Sequence, residues 1–163
     1  MINTINHENS RLAISAGNST QRIVLPHNTA ECIRQINKCT EAVINAGNSI
    51  ISASIIDNNG KKHHADKFLP WEYLHRYAFS KEKVNSYSLG VILFVFLFHR
   101  FPDTAEQELH RHIDYSRIVI DEVTEDFLKF ANDYLTRSLC ISSICRRSAS
   151  ELHILTCRML ASK

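Results

Sequence analysis

The segment VNSYSLGVILFVFLFHRFP, residues 84–102, constrains the fold most. Residues 87–98 carry no charge, and all but Ser88 and Gly90 are Val, Ile, Leu, Phe or Tyr. A membrane-spanning helix needs about 20 consecutive apolar residues, and this run is shorter. A surface helix keeps a polar face, and this run has none. The segment predicts a helix over about 85–99, buried at the centre of a domain larger than itself and stopped before Pro102.

A chain of 163 residues is long enough for one domain with a real core. With only 4 glycines and 3 prolines it lacks the turn residues of an all-β protein, which favours helices. The net charge is +2, and Lys and Arg are scattered rather than blocked. Neither nucleic acid nor a membrane surface is therefore an expected partner. Residues 103–126 carry eight Asp and Glu, too acidic for a DNA-reading helix pair. Cys32, Cys39, Cys140, Cys145 and Cys157 are odd in number and form no Cys-x-x-Cys. They read as buried, reduced thiols of a cytoplasmic protein. The start, MINTINHENS, lacks an apolar signal core, so the sequon Asn18-Ser19-Thr20 carries no weight.

Residues 1–27 read as a mostly irregular, polar arm with one β-like run, Arg22-Ile23-Val24-Leu25. Asn28 with Glu31 signals a helix start. Cys32, Ile36, Cys39, Val43 and Ala46 recur at helical spacing until Gly47. Residues 50–56 read as a buried strand, 57–60 as a turn, and a second strand or loop follows to about Phe68. Asp103 or Thr104 caps a helix over 104–113. Thr124 starts another, with Phe127, Phe130, Ala131, Tyr134 and Leu135 on one face. Ser148 and Glu151 form a capping box before a helix carrying Leu152, Leu155 and Met159. The expected fold is mostly α: five helices with one small β-hairpin.

Five segments in this order resemble the C-terminal lobe of the eukaryotic-type protein kinases. VNSYSLGVILF, with Asn85, Tyr87, Ser88, Leu89 and Gly90, resembles the central helix of that family. Arg100-Phe101-Pro102 resembles its Gly-x-x-Pro-Phe region, and RRSASEL at 146–152 the Arg-Pro-Ser-Ala-x-Glu-Leu opening its last helix. IIDNNGKKHHADKF at 55–68 is similar to the hairpin that leads into Asp-Phe-Gly. Pro70-Trp71-Glu72-Tyr73-Leu74 is similar to the Ala-Pro-Glu segment. The resemblance spans about residues 30–160 and implies a kinase-like lobe over 28–163, without the N-terminal lobe. It also implies one contact, a bidentate ion pair between Glu72 and Arg146. Arg147 replaces the proline of the family and competes for that carboxylate. Asn85 replaces a helix-capping aspartate; it can still cap, without the charge that organises a catalytic loop.

What phosphoryl transfer requires is missing. No G-x-G-x-x-G occurs, and about 28 residues precede the first helix, too few for a nucleotide-clamping lobe. Residues 47–52 stand where the family has His-Arg-Asp and Asn. Lys67-Phe68 follows Asp66 in place of Phe-Gly, and five residues separate Asp66 from Glu72. A lone Asp66 beside Lys67 is a poor Mg²⁺ site. The expectation is a pseudokinase with no catalytic residues, no metal and no cofactor. His63-His64 and His110-Arg111-His112 point to different sides of a strand or helix and do not chelate. No cysteine sits in a recognisable nucleophile setting.

A lobe of this kind retains grooves that hold proteins, as in the KIND domains, pseudokinase regulators and the truncated kinase mimics of some pathogens. The expected partner is a protein, a kinase or kinase substrate, or a second copy in a homodimer. The candidate partner surface is Ile23, Val24 and Leu25 together with the segment 63–77: His63, His64, Trp71, Tyr73 and Arg76. A secreted effector acting in a host cytosol fits the same reading. The alternatives are a divergent or split kinase completed by another chain, and an unrelated helical domain.

Overall fold

The computed structural model describes residues 5, 9–47, 49–108 and 113–162. Its order is β1 (Arg11–Ala16), β2 (Ser19–Val24), α1 (Thr29–Ala46), β3 (Ser52–Ile56), β4 (Lys62–His63), α2 (Trp71–Leu74), α3 (Lys81–Phe98), α4 (Thr104–Glu108), α5 (Glu125–Ser138) and α6 (Ala149–Ala161). Among the described residues helix makes up 54% and strand 15%, so they are mostly helical, but the sheet is larger than one hairpin. The strands form an antiparallel sheet in the order β2-β1-β3-β4.

The stretch expected to be a mostly irregular arm forms the β1–β2 hairpin, turned at Gly17 with φ +63. Leu12, Ala13 and Ile14 are buried because β1 pairs on both edges, with β2 and β3. Ile23 and Leu25 are also core residues, at 4% and 0% exposure. The expectation that they offer a partner surface is therefore corrected: only Val24 of the three points outward. Period-two alternation turns Ile23 inward and Val24 outward.

Helix α3 is the axis. Residues 84–98 are all buried, and α1, α5 and α6 pack against it. It begins one turn earlier than expected, at Lys81 after Ser80, so Asn85 is an interior residue and not a cap. Its polar side chains hold other segments instead. Asn85 Oδ1 accepts from the Ile51 amide at 3.0 Å, and its Nδ2 donates to the Ser49 carbonyl at 2.9 Å. Ser88 donates to the Phe68 carbonyl at 2.8 Å. Ser86 donates to the Arg147 carbonyl at 2.5 Å, and Lys83 donates to the Arg146 carbonyl. Buried hydroxyls and amides need such partners.

The helix starts follow their capping chemistry. Asn28 accepts from the Glu31 amide, Asp103 from the Glu106 amide, Thr124 from the Phe127 amide and Ser148 from the Glu151 amide. Glu106 completes the box by accepting from the Asp103 amide, whereas Glu31 accepts from the amide of His27, the residue before the cap. Glu151 instead lies 4.0 Å from Arg147. Helix α4 is described over Thr104–Glu108, and residues 109–112 of the expected 104–113 helix, with His110, Arg111 and His112, lie outside the described residues. Among the described residues no helix is long and apolar enough to cross a membrane.

Gly90 lets α5 approach. A Cβ there would stand 2.5 Å from Ser138 Oγ and 3.1 Å from the Leu139 nitrogen. Gly90→Ala is expected to destabilise the fold by about 1–3 kcal/mol, although alanine is the better helix former by about 1 kcal/mol. Adding Ser138→Ala removes the nearest atom and should recover part of the loss. Urea denaturation of the single and double variants measures both, and strict additivity would refute the contact.

Candidate interaction site

The segment 63–79 connects the sheet to α3 and carries most of the sequence-predicted surface. His63 closes β4: its Nε2 lies 2.8 Å from Asp57 Oδ2. That bond, aided by the Lys61 and Asn59 amides, holds the Asp57 carboxyl below the usual range. His64 follows in a left-handed conformation, φ 63, with its ring edge-on to Phe101 at 5.3 Å. The left-handed residue turns the chain into a 3-10 turn, Ala65–Phe68, whose Phe68 is buried edge-on to Phe101 at 5.1 Å. Partial burial and the neighbouring Lys67 hold the His64 imidazole below its ordinary value.

Pro70 then starts the one-turn α2, and Glu72 on it points inward. The structure brings Glu72 and Arg146 together. Arg146 Nη1 lies 2.5 Å from Glu72 Oε2, and Nη2 lies 3.1 Å from Oε1. The arginine is 1% exposed. Its remaining donors go to the carbonyls of Cys140 at 2.8 Å, Ile141 at 3.1 Å and Lys83 at 3.3 Å. Beneath it lies the Tyr87 ring, 4.9 Å from the guanidinium carbon. Burial pushes the Tyr87 phenol up to about 12, and Gln107 Nε2 donates to its oxygen at 2.9 Å. Arg147, the expected competitor, is exposed and turns toward Glu151.

With its underside fixed, the segment turns aromatic side chains outward. Trp71 stacks on His75 at 4.9 Å and on Tyr77 at 4.7 Å. Tyr73 meets Phe79 edge-on at 5.0 Å. Trp71, Leu74, Tyr77 and Phe79 are all exposed, Trp71 at 52%. Arg76 beside them is exposed and left-handed, φ 59. Trp71 and Leu74 wall a cleft of about 430 Å³ that continues over Leu69, Tyr87, Phe101 and Pro102 to Thr104 and Gln107. Asp66 and Asp103 stand on its polar margin with Lys67, whose ammonium lies 5.4 Å from the Phe101 ring centroid.

Sequence reasoning missed an ion pair between the neighbours of the cleft residues Phe101, Thr104 and Gln107. Arg100 holds Glu106 with two hydrogen bonds, 2.7 and 2.8 Å, and lies over the rings of Phe94 and Phe98. The pattern Asp103-x-x-Glu106 signals a capping box, but nothing local marks Arg100 as the partner of Glu106. Among the described residues no group of three or more His, Cys, Asp and Glu is placed to hold a metal. The thiols also differ from expectation: Cys32, Cys39 and Cys140 are buried, whereas Cys145 and Cys157 are exposed, and no two are joined in a disulfide.

Removing one partner of a buried ion pair strands the other. Arg146→Ala is expected to lower stability by about 3–5 kcal/mol, and Arg146→Lys by less, since an ammonium cannot make the bidentate pair. A loss below about 1 kcal/mol for Arg146→Ala in equilibrium denaturation, the ceiling for a surface pair, would show that the guanidinium is not a structural tie. No protein-family model matches this chain and no curated protein matches it.

Proposed function

We propose that this chain is a non-catalytic, kinase-like scaffold that acts by protein–protein interaction, as a regulator or mimic of a protein kinase. The observation that carries this reading is the joint exposure of Trp71, Leu74, Tyr77 and Phe79 beside the cleft, on a segment fixed by a buried ion pair. A large exposed apolar patch marks an interface, and Trp and Tyr are the residues on which binding energy concentrates. The rigid underside lowers the ordering cost of binding.

Three further observations support the kinase-like part: the burial of 84–98, the Glu72–Arg146 tie, and the order of elements from α1 to α6. Asn85 supports the non-catalytic part. It holds Ser49 and Ile51 by their backbones, so the chain runs from α1 into β3 with no length for the loop that carries catalytic Asp and Asn in the resembled family. The partner is a protein; nucleic acid, membrane and cofactor have no part in this reading.

Immobilised chain is expected to capture a protein from its native lysate, and the Trp71→Ala, Tyr77→Ala double variant to lose at least about tenfold of it, as befits hot-spot residues. Magnesium ATP is expected to leave the unfolding temperature unchanged. Capture indifferent to the aromatic pair would reject the surface. An ATP-dependent shift abolished by Asp66→Ala, or phosphotransfer by the captured complex, would establish a divergent or split kinase instead.

A further inference from the structure

Helix α6 packs along α1 on a face that shares no residue with the cleft, and this seam holds a second cluster. Thr156 on α6 is fully buried and donates to Asn37 Oδ1 of α1 at 2.7 Å, which fixes the register of the two helices. One turn apart on α6, His153 and Cys157 share a side. The Cys157 sulfur lies 3.5 Å from His153 Nε2 and 3.9 Å from Nδ1. Glu41 of α1 places Oε2 3.5 Å from the same Nε2. Cys157 and Glu41 are exposed and His153 is partly exposed, so a solute can reach the sulfur.

We propose that Cys157 is a thiol-modification site, activated by His153 with Glu41 as its counter-charge, and that its reagent class is a low-molecular-weight disulfide. The sulfur attacks one sulfur of the disulfide while Nε2 accepts the thiol proton. The new Cys157–sulfur bond forms as the reagent's S–S bond breaks, so the electron pair leaves on the departing sulfur. That thiolate takes the proton from Nε2, giving one mixed disulfide and one free thiol. Glu41 offsets the imidazolium charge between the two transfers. The exposure of Cys157 and Glu41 fits modification of the protein rather than turnover of a substrate.

The other cysteines serve as internal references. Burial pushes the Cys39 thiol up to about 12 and the Cys140 thiol up to about 11, and Cys32 is buried alike. Cys145 is exposed but faces the Cys140 thiol instead of a base.

The test is exposure of the full chain to oxidised glutathione, with each cysteine followed by peptide mass spectrometry. Cys157 is expected to gain glutathione about tenfold faster than Cys145, counting any Cys140–Cys145 disulfide as reaction at Cys145. This stays below the 10²–10⁴ of an enclosed general base because the pair is open to water. His153→Ala should remove that advantage while the Cys145 rate, a reporter of intact folding, stays constant. Free imidazole should then restore the rate at Cys157 and not at Cys145. Glu41→Gln, which leaves the helix seam intact, should slow Cys157 by a smaller factor. Equal rates at the two exposed cysteines, or a Cys157 rate unchanged by His153→Ala, would overturn the proposal.

Discussion

The fold depends on burying one helix almost from end to end. Residues 84–98 of α3 are out of water on every side, so any polar group among them must find a partner in the protein or cost about 1–3 kcal/mol. Asn85, Ser86 and Ser88 satisfy this by bonding backbone that no regular element would pair: 49–51, Arg147 and Phe68. The same bonds fix where three irregular segments run. The apolar residues of α3 supply the driving force, and its few polar residues determine which loops are held and where.

Arg146 repeats this logic from the other side. A fully buried guanidinium is tolerable only with its donors engaged, and here five hydrogen bonds reach Glu72, Lys83, Cys140 and Ile141. One cation therefore joins the α5–α6 loop, the start of α3 and α2. Because the pair is satisfied from below, the opposite side of 71–79 is free of structural duty. Trp71, Tyr77 and Phe79 remain exposed there without weakening the core.

The helical half was legible because periodicity and caps are local. Asn28, Thr124 and Ser148 each begin a helix where their side chains suggest, and the apolar faces of α1 and α5 turn inward as spaced. The Glu72–Arg146 pair, 74 residues apart, became visible only through resemblance, since neither residue carries a local mark. The β1–β2 hairpin was hidden for a different reason. RLAISA and STQRIV alternate weakly, and β1 gains its burial from pairing with β3, a partner some 40 residues away. Asn85 was misread because a helix one turn longer converts a capping amide into an interior one. The Cys157–His153–Glu41 cluster needs the α1–α6 register before its third member comes into reach.

The two surfaces place different demands on the fold. The recognition proposed at 63–79 needs rigidity, because a preformed aromatic face loses little entropy on binding, and the ion pair beneath supplies it. The thiol exchange proposed at Cys157 needs access more than enclosure, and an i,i+4 pair on the outer edge of α6 provides a base beside an open sulfur. Neither relies on the stretch between α1 and β3 that Asn85 ties down. A chain whose core is one buried helix can therefore keep the connection between α1 and β3 short, because the hydrogen bonds from α3 hold that connection in place.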